Sequence, residues 1–290
     1  MKFAYVLPDP GHYPAWGKFE ADLRAMQRCG YDAVELQISD PAELDEARLR
    51  ASLDNAGFKL CAFQTGGTYL SRGNCLCTAN DEIRLRTLAL LRSFVGLAAR
   101  FNSVIVFGSL QGKAGNEPDL AAGRRRIGKA LQQIGRAASA QGVILACEPL
   151  NQLETAYQHT IAEGERLVRG LDLRSVRLMI DTFHMNIEER SLTAPIAGIA
   201  DILAHVHLSE TNRDVLGAGH LDTAAFLKAL RQSGYDGFCS VGVYNSKQPR
   251  QECMRICMRA LQGASPATIT RPGRRRAASG QTRSRRIKPG

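Results

Sequence analysis

The residues best suited to chemistry lie in the segment 181–189, which reads Asp-Thr-Phe-His-Met-Asn-Ile-Glu-Glu. This segment directly follows the apolar run 176–180, a pattern that predicts a strand delivering Asp181 and His184 into a polar loop. A carboxylate and an imidazole together suit a divalent metal ion or a hydroxylated ligand. We therefore expect a binding site at the end of this strand.

Two further residues of the same kind lie at the ends of neighbouring apolar runs, Glu148 and His207. Strand alternation puts His205 on the same side as His207. Taken singly, such residues also fit helix caps, ion pairs or hydrogen-bonded core histidines, although a carboxylate is costly to bury without a partner or a cation. Taken together, Glu148, Asp181 and His207 form an oxygen-rich set that favours Mn²⁺, Mg²⁺ or Co²⁺ over a thiolate-preferring metal.

Apolar runs typical of strands alternate with amphipathic helical stretches along the whole chain. The predicted strands are 3–7, 33–37, 60–63, 104–107, 143–147, 176–180, 204–208 and 238–243. The predicted helices are 16–29, 41–56, 81–100, 119–140, 160–168, 192–200, 223–233 and 251–261, with a Gly-rich loop at 64–79. Single helices between strands imply parallel pairing, and eight such units predict a (β/α)₈ TIM barrel. A doubly wound sheet is the alternative, but no GxGxxG follows the first strand.

The positive charge of the chain is concentrated at its C-terminal end. The net charge is +10, and residues 264–290 contain eight basic and no acidic residues, which leaves the rest of the chain near neutrality. We expect a barrel domain over 1–263 and a disordered basic tail over 264–290, because the tail cannot bury a core. The tail either anchors weakly to nucleic acid or an anionic surface, or is simply solvated. Nucleic-acid binding is not expected elsewhere.

Cysteine and hydropathy patterns bear on location. The eight cysteines form no CxxC…CxxC zinc pattern, which favours reduced, structural thiols in a cytoplasmic protein. No apolar run approaches the ~20 residues of a membrane span, and the first residues read as a strand rather than a signal peptide.

Three motifs carry a resemblance to a known family: Glu148-Pro-Leu-Asn, the segment 181–189, and His207-Leu-Ser-Glu-Thr-Asn-Arg213. They resemble the xylose-isomerase-like superfamily of sugar isomerases and epimerases, and within it the ketose 3-epimerases of the tagatose/psicose type. The resemblance covers about residues 1–262 and is strongest from 143 to 237.

The resemblance implies a role for each matching residue. A divalent ion, with Mn²⁺ the first choice and Mg²⁺ or Co²⁺ as alternatives, would be held by Glu148, Asp181 and His207. Glu154, His184 and Arg213 would contact a small sugar or sugar-like substrate, and the protein would form a homodimer or homotetramer. Glu148 would also be one of two carboxylates that move a proton on the carbon beside a ketose carbonyl, through an enediolate.

The second carboxylate of that pair is missing. Counting from Tyr235-Asp-Gly237, its position falls on Gly242, and no acidic residue lies between Asp236 and Glu252. Loss of one catalytic carboxylate typically costs ~10²–10⁴ in rate. The alternative is that Gly242 is an ordinary strand glycine in a different kind of site.

Three functions follow as hypotheses. The first is a metal-dependent sugar isomerase or epimerase, impaired or altered by Gly242, in which proton transfer on one face by Glu148 allows aldose–ketose isomerisation or dehydration more readily than epimerisation. The second is a non-catalytic relative that binds a sugar or polyol. The third, an apurinic endonuclease with three zinc ions, requires extra histidines after strands three and four, where residues 63–65 and 107–109 read Phe-Gln-Thr and Phe-Gly-Ser.

Overall fold

The computed structural model describes residues 1–264, and these form a closed barrel of parallel strands in the order β1 to β8. The predicted (β/α)₈ TIM barrel is therefore confirmed. The expected basic tail lies outside the described residues, apart from Ala264. The strands are β1 (Lys2–Pro8), β2 (Ala33–Gln37), β3 (Lys59–Gln64), β4 (Val104–Phe107), β5 (Leu145–Cys147), β6 (Val176–Asp181), β7 (Leu203–Leu208) and β8 (Phe238–Val241).

Helices cover the outside of this barrel. They are α1 (Trp16–Cys29), α2 (Glu46–Ala56), α3 (Gly66–Arg72), α4 (Asp81–Phe101), α5 (Leu120–Ala140), α6 (Ile161–Leu171), α7 (Thr182–Glu188), α8 (Thr223–Gln232) and α9 (Arg250–Gly263). Helices α1 and α2 end at Gly30 and Gly57, and both residues adopt the left-handed conformation (φ 89° and 69°) that glycine takes most easily.

Three local predictions are wrong. The expected loop 64–79 contains α3, and the expected polar loop 181–189 contains α7. Helix α7 begins directly at the strand end because the carboxylate of Asp181 accepts a hydrogen bond from Phe183 N at 2.8 Å, which caps the first turn. The expected helix 192–200 is only the 3-10 turn Ile196–Ile199, which follows a proline.

The barrel has a large outer core and a smaller inner one. The outer core lies between strands and helices, and it includes the fully buried Phe19, Phe94 and Phe226. The inner cluster is built mainly from small side chains: Ala4, Ala33, Cys61, Ala62, Val106, Ala146 and Met179. Small residues inside the barrel leave room for larger polar side chains nearer its C-terminal mouth, which is where barrel enzymes place their chemistry.

Two further observations concern the cysteines and the helices. All eight cysteines are free, and all but Cys29 are buried. Over residues 1–264, the structure contains no helix with the length and apolar content needed to cross a membrane.

Candidate functional site

A cavity of about 280 Å³ opens at the C-terminal ends of the strands. This volume is near the lower end of the range for small-molecule pockets, about 300–1,000 Å³. All six residues predicted for the site line it: Glu148, Glu154, Asp181, His184, His207 and Arg213. A larger groove lies on the outer surface between α1 and α9, and none of these six residues contributes to it.

The three predicted metal ligands converge at the bottom of this cavity. His207 Nδ1 lies 3.5 Å from Glu148 Oε1 and 3.5 Å from Asp181 Oδ2, and all three side chains are buried. Two carboxylates brought together out of water need a compensating positive charge. Oxygen donors with one imidazole nitrogen are a fitting set for a hard divalent ion. His184 is a fourth candidate, since one of its nitrogens and the two carboxylates also lie within 4.8 Å of one another.

The structure adds a residue that was not predicted, Glu35 in β2. Its side chain is completely buried, and its two oxygens accept hydrogen bonds from His205 Nε2 at 2.7 Å and from His207 Nε2 at 2.8 Å. A carboxylate on the far nitrogen of a ligating histidine fixes its tautomer and its ring orientation. Glu35 therefore points His207 Nδ1 at the two carboxylates. The available signal was a charged residue between the apolar residues Val34 and Leu36 in the middle of a strand.

Electrostatics in this cluster are governed by opposite charges at close range. Burial by itself lowers the pKa of His207, but Glu35, Asp181 and Glu148 together raise that pKa well above its ordinary value. Burial raises the pKa of Asp181, and the hydrogen bond and charge of His207 outweigh this effect and lower it to about 2. Asp181 thus stays ionised beside a positive charge on His207. A divalent ion at His207 Nδ1 would supply the same compensation.

Because Gly108, which follows β4, has no side chain, there is room beside it for the carboxylate of Glu148. A Cβ atom at Gly108 would lie 2.6 Å from Glu148 Oε2 and 3.3 Å from a methyl group of Leu150. The backbone of Glu148 is fixed as well, because its N–H donates to Phe107 O at 2.8 Å and its carbonyl accepts from Gln111 Nε2 at 2.9 Å. The Glu148 carboxylate is therefore positioned by both main-chain bonds and close packing.

The loop after β5 orients His184. His184 Nδ1 accepts hydrogen bonds from Asn151 N at 3.2 Å and Asn151 Nδ2 at 2.8 Å. The other ring nitrogen, Nε2, lies 3.9 Å from Glu148 Oε1 and 3.3 Å from Arg213 Nη2. His184 is thus held between Asn151 and Arg213 at the wall of the cavity.

The two glutamates that end the 181–189 motif tie helix α7 to its neighbours. Glu188 accepts from Gln152 N and Glu189 from Ile161 N, each at 2.7 Å. Asp181 and His184 of the motif therefore line the cavity, whereas Glu188 and Glu189 hold the helix against neighbouring segments.

Arg213 is held above the site from several sides. Its guanidinium donates to Glu154 Oε1 at 3.1 Å and lies between the rings of Phe183 (3.9 Å to the centroid) and Tyr244 (4.9 Å). Its backbone has φ 59°, which is uncommon for a residue with a side chain. A planar cation held by stacking in this way suits binding of ligand oxygens.

The loop that carries Arg213 is anchored by Glu210, which is completely buried. Its carboxylate accepts hydrogen bonds from the backbone N–H groups of Thr211 (2.9 Å), Gly217 (3.0 Å) and Leu221 (2.9 Å). Burial raises the pKa of Glu210, and these N–H donors outweigh it, so the pKa is lowered. The charged form of Glu210 thus shapes the loop after β7.

The corner at Gly242 contains no carboxylate. A Cβ atom built there would lie 3.0 Å from Ser209 Oγ and 2.7 Å from Cε2 of Tyr244, so the tyrosine ring fills the space next to the glycine. The nearest acidic residues in sequence do not reach this corner, as expected: Asp236 precedes β8 at its opposite end, and Glu252 lies in α9, where it pairs with Arg255. Tyr244 was not predicted, and it also lines the cavity.

Comparison with known proteins agrees with this architecture. The family model described as the xylose isomerase-like TIM barrel matches residues 23–262. The chain is 30% identical over 237 residues to an L-ribulose 3-epimerase of Mesorhizobium japonicum, covering 80% of this chain and 78% of the relative. It is 28% identical over 230 residues to a ketose 3-epimerase of Arthrobacter globiformis, covering 78% of each.

Solved structures show the same fold. A structure of L-ribulose 3-epimerase superposes with a TM-score of 0.79 at 23% identity, covering 90% of this chain and 95% of the other. A D-psicose 3-epimerase crystallised in the presence of D-fructose gives 0.78 at 24% identity, covering 91% and 98%. On its sequence, its closed barrel and the family match over most of its length, this chain belongs to the xylose isomerase-like TIM barrel family.

Proposed function

We propose that this protein is a metal-assisted sugar isomerase or epimerase-like enzyme with altered chemistry at Gly242. The observation that supports it most is the convergence of Glu148, Asp181 and His207 Nδ1 at the bottom of a cavity sized for a small ligand. The names of the relatives, ketose 3-epimerase and L-ribulose 3-epimerase, suggest a ketose as the substrate class.

The proposed metal is Mn²⁺, with Mg²⁺ and Co²⁺ as alternatives, held by the three convergent side chains. When bound, such an ion supplies Lewis acidity that polarises a carbonyl oxygen. Glu148 has the proton-transfer role, removing a proton from the carbon beside the carbonyl and delivering a proton to the neighbouring carbon of the enediolate. His184 Nε2, Arg213 and Glu154 are placed around the same cavity, where they would bind substrate hydroxyl groups.

The glycine at position 242 is the reason for proposing isomerisation rather than epimerisation. Inversion of a carbon through an enediolate requires a proton acceptor on one face and a donor on the other. With Glu148 as the only carboxylate proposed to move the proton, transfer on one face favours aldose–ketose isomerisation over epimerisation. A cytoplasmic location remains a prediction from the cysteine pattern, and a homodimeric or homotetrameric assembly remains a prediction from the resemblance.

The metal site is tested by calorimetry with Mn²⁺ on the native protein and on Asp181→Asn. The asparagine oxygen still caps α7 through Phe183 N, so the fold is retained while the ligand charge is removed. We expect Mn²⁺ binding by the native protein and a loss of about 100-fold or more in the variant, the order of 3 kcal/mol for removal of a charged partner. Absence of binding by the native protein, or equal binding by both, would refute the metal site.

The chemistry is tested with a panel of ketoses in D₂O. Deuterium should enter beside the carbonyl in the Mn²⁺-loaded native protein, with aldose rather than the 3-epimer as the product. Because a side chain at position 242 collides with the Tyr244 ring, the reciprocal variant is Gly242→Glu combined with Tyr244→Ala. The double variant should gain 3-epimerisation over Tyr244→Ala alone. Substantial 3-epimerisation by the native protein would show that Gly242 does not limit the reaction.

A non-catalytic sugar- or polyol-binding protein is the second candidate, and the glycine at 242 is the observation that favours it. Sugar binding without deuterium incorporation in any metal-loaded sample would select it. An apurinic endonuclease is disfavoured, because β3 ends at Gln64 and is followed by Thr65, and β4 is followed by Gly108-Ser109, with no histidine at either place.

A further inference from the structure

The side chain of Tyr244 occupies the space beside Gly242. The ring atom Cε2 lies 2.7 Å, and the hydroxyl 3.1 Å, from the position that a Cβ atom at 242 would occupy. The phenol therefore stands where the first atoms of a side chain from the end of β8 would enter the cavity. Glu148 directly follows β5, three strands away around the ring of eight, so the two groups approach a ligand from different sides.

The hydrogen-bonding of the Tyr244 hydroxyl leaves its proton available. Gln64 Nε2, at the end of β3, donates to the phenol oxygen at 3.3 Å. The oxygen is thereby used as an acceptor, and within residues 1–264 no acceptor is recorded for its hydrogen. Since Tyr244 lines the cavity, this hydrogen can be donated to an oxygen atom of a ligand there.

The position of Tyr244 is set by contacts at both ends of the residue. Its backbone N–H donates to Arg213 O at 2.9 Å, and its ring lies against the Arg213 guanidinium. The residue is 43% exposed, so the outer edge of the ring meets solvent while the hydroxyl points towards Gln64. A tyrosine buttressed in this way presents its hydroxyl with little conformational freedom to lose on binding.

We propose that Tyr244 is a substrate-binding residue that places a neutral hydrogen-bond donor where the second carboxylate is absent, and that it contacts a carbonyl or hydroxyl oxygen of a polyhydroxylated ligand. The ligand class rests on the proposed function. An ordinary tyrosine has a pKa of about 10, so the group keeps its proton near neutral pH and does not act as a base. The two sides of the cavity would then be unequal, with a carboxylate at Glu148 and a proton-bearing donor at Tyr244.

The test compares Tyr244→Phe with the native protein, both loaded with Mn²⁺. Phenylalanine keeps the ring that stacks on Arg213 and removes only the hydroxyl. Calorimetric titration with D-fructose, D-psicose and L-ribulose should show affinity for the bound sugar reduced about tenfold, as expected for one lost hydrogen bond. Mn²⁺ affinity should be unchanged. The matched control is Tyr69→Phe. The hydroxyl of Tyr69 donates to Asn116 at 2.9 Å and does not line the cavity, so this variant should bind sugar normally.

The outcomes separate this inference from the proposed function. If the native protein binds a sugar and Tyr244→Phe binds it equally well, the role of Tyr244 is refuted and the proposed function stands. If Tyr244→Phe also loses Mn²⁺, the hydroxyl acts on the metal site rather than on the sugar, and the inference is again refuted. If the native protein binds no sugar of the panel, both proposals fail together.

Discussion

Glu35 offers the sharpest test of how the barrel interior controls the site. Replacement by glutamine preserves shape and removes the negative charge that accepts from His205 at 2.7 Å and His207 at 2.8 Å. A glutamine can accept from only one of the two rings, and its amide group must donate to the other. Where it donates to His207 Nε2, the proton of that ring moves to Nδ1, which can then no longer bind a metal ion.

The magnitude follows from the two buried hydrogen bonds. Each bond to a charged group contributes about 1.5–3 kcal/mol, against about 0.5–1.5 kcal/mol for a neutral one. We therefore expect Glu35→Gln to lower the free energy of unfolding by about 2 kcal/mol. Loss of an outer partner of a metal-binding histidine typically weakens metal affinity or activity by about 10–100-fold.

The assay is calorimetry with Mn²⁺ together with urea unfolding, on native protein, Glu35→Gln and the control Glu82→Gln. Glu82 is exposed in the first turn of α4, so its substitution should change neither quantity. The reasoning would be wrong if Glu35→Gln bound Mn²⁺ with native affinity. Weakened Mn²⁺ binding with unchanged stability would leave the orienting role intact and reject only the energetic estimate.

Two further predictions concern close packing and pH. Gly108→Ala should weaken Mn²⁺ binding about tenfold or more, because the new methyl group displaces the Glu148 carboxylate. The control is Gly115→Ala, where the new methyl group has no neighbouring atom within 4 Å, and this variant should bind Mn²⁺ normally. Glu210→Gln should destabilise the protein by about 1–3 kcal/mol at neutral pH, measured by urea unfolding. Folding lowers the pKa of Glu210, so the stability that its carboxylate contributes is present above about pH 4.3 and is lost as the pH falls through the pKa of the folded state. The difference in unfolding free energy between native protein and variant should therefore disappear in acid. A difference that stayed constant with pH would contradict this reasoning.

The fold was accessible from the sequence because its signals are local and repeated. Apolar runs of strand length, amphipathic stretches and glycine stops recur with the period of a barrel, and each of these features depends on nearby residues. The pattern at 181–189 predicts a loop rather than helix α7, because Asp181 resembles a site residue although it also caps the helix. A capping side chain immediately after a strand leaves no residue for a loop.

The site was only partly accessible, for a different physical reason. Glu148, Asp181 and His207 follow apolar runs and are therefore conspicuous in the sequence. Glu35 and Tyr244 act through partners 172 residues and 180 residues away, His207 and Gln64, and only closure of the barrel brings these side chains together. Local sequence patterns carry no information on such distant pairs. A charged residue inside β2 does indicate that it has a partner, because an unpaired buried charge is costly, but it does not identify that partner.

The crowding between Gly242 and Tyr244 has an evolutionary consequence. With the ring in its present place, a side chain at 242 would start 2.7 Å from a ring carbon, so position 242 cannot gain a side chain unless the ring moves. A carboxylate at position 242 requires the tyrosine to turn outward or to be replaced. Among homologues, a side chain at position 242 should therefore be accompanied by a smaller or differently oriented residue at position 244.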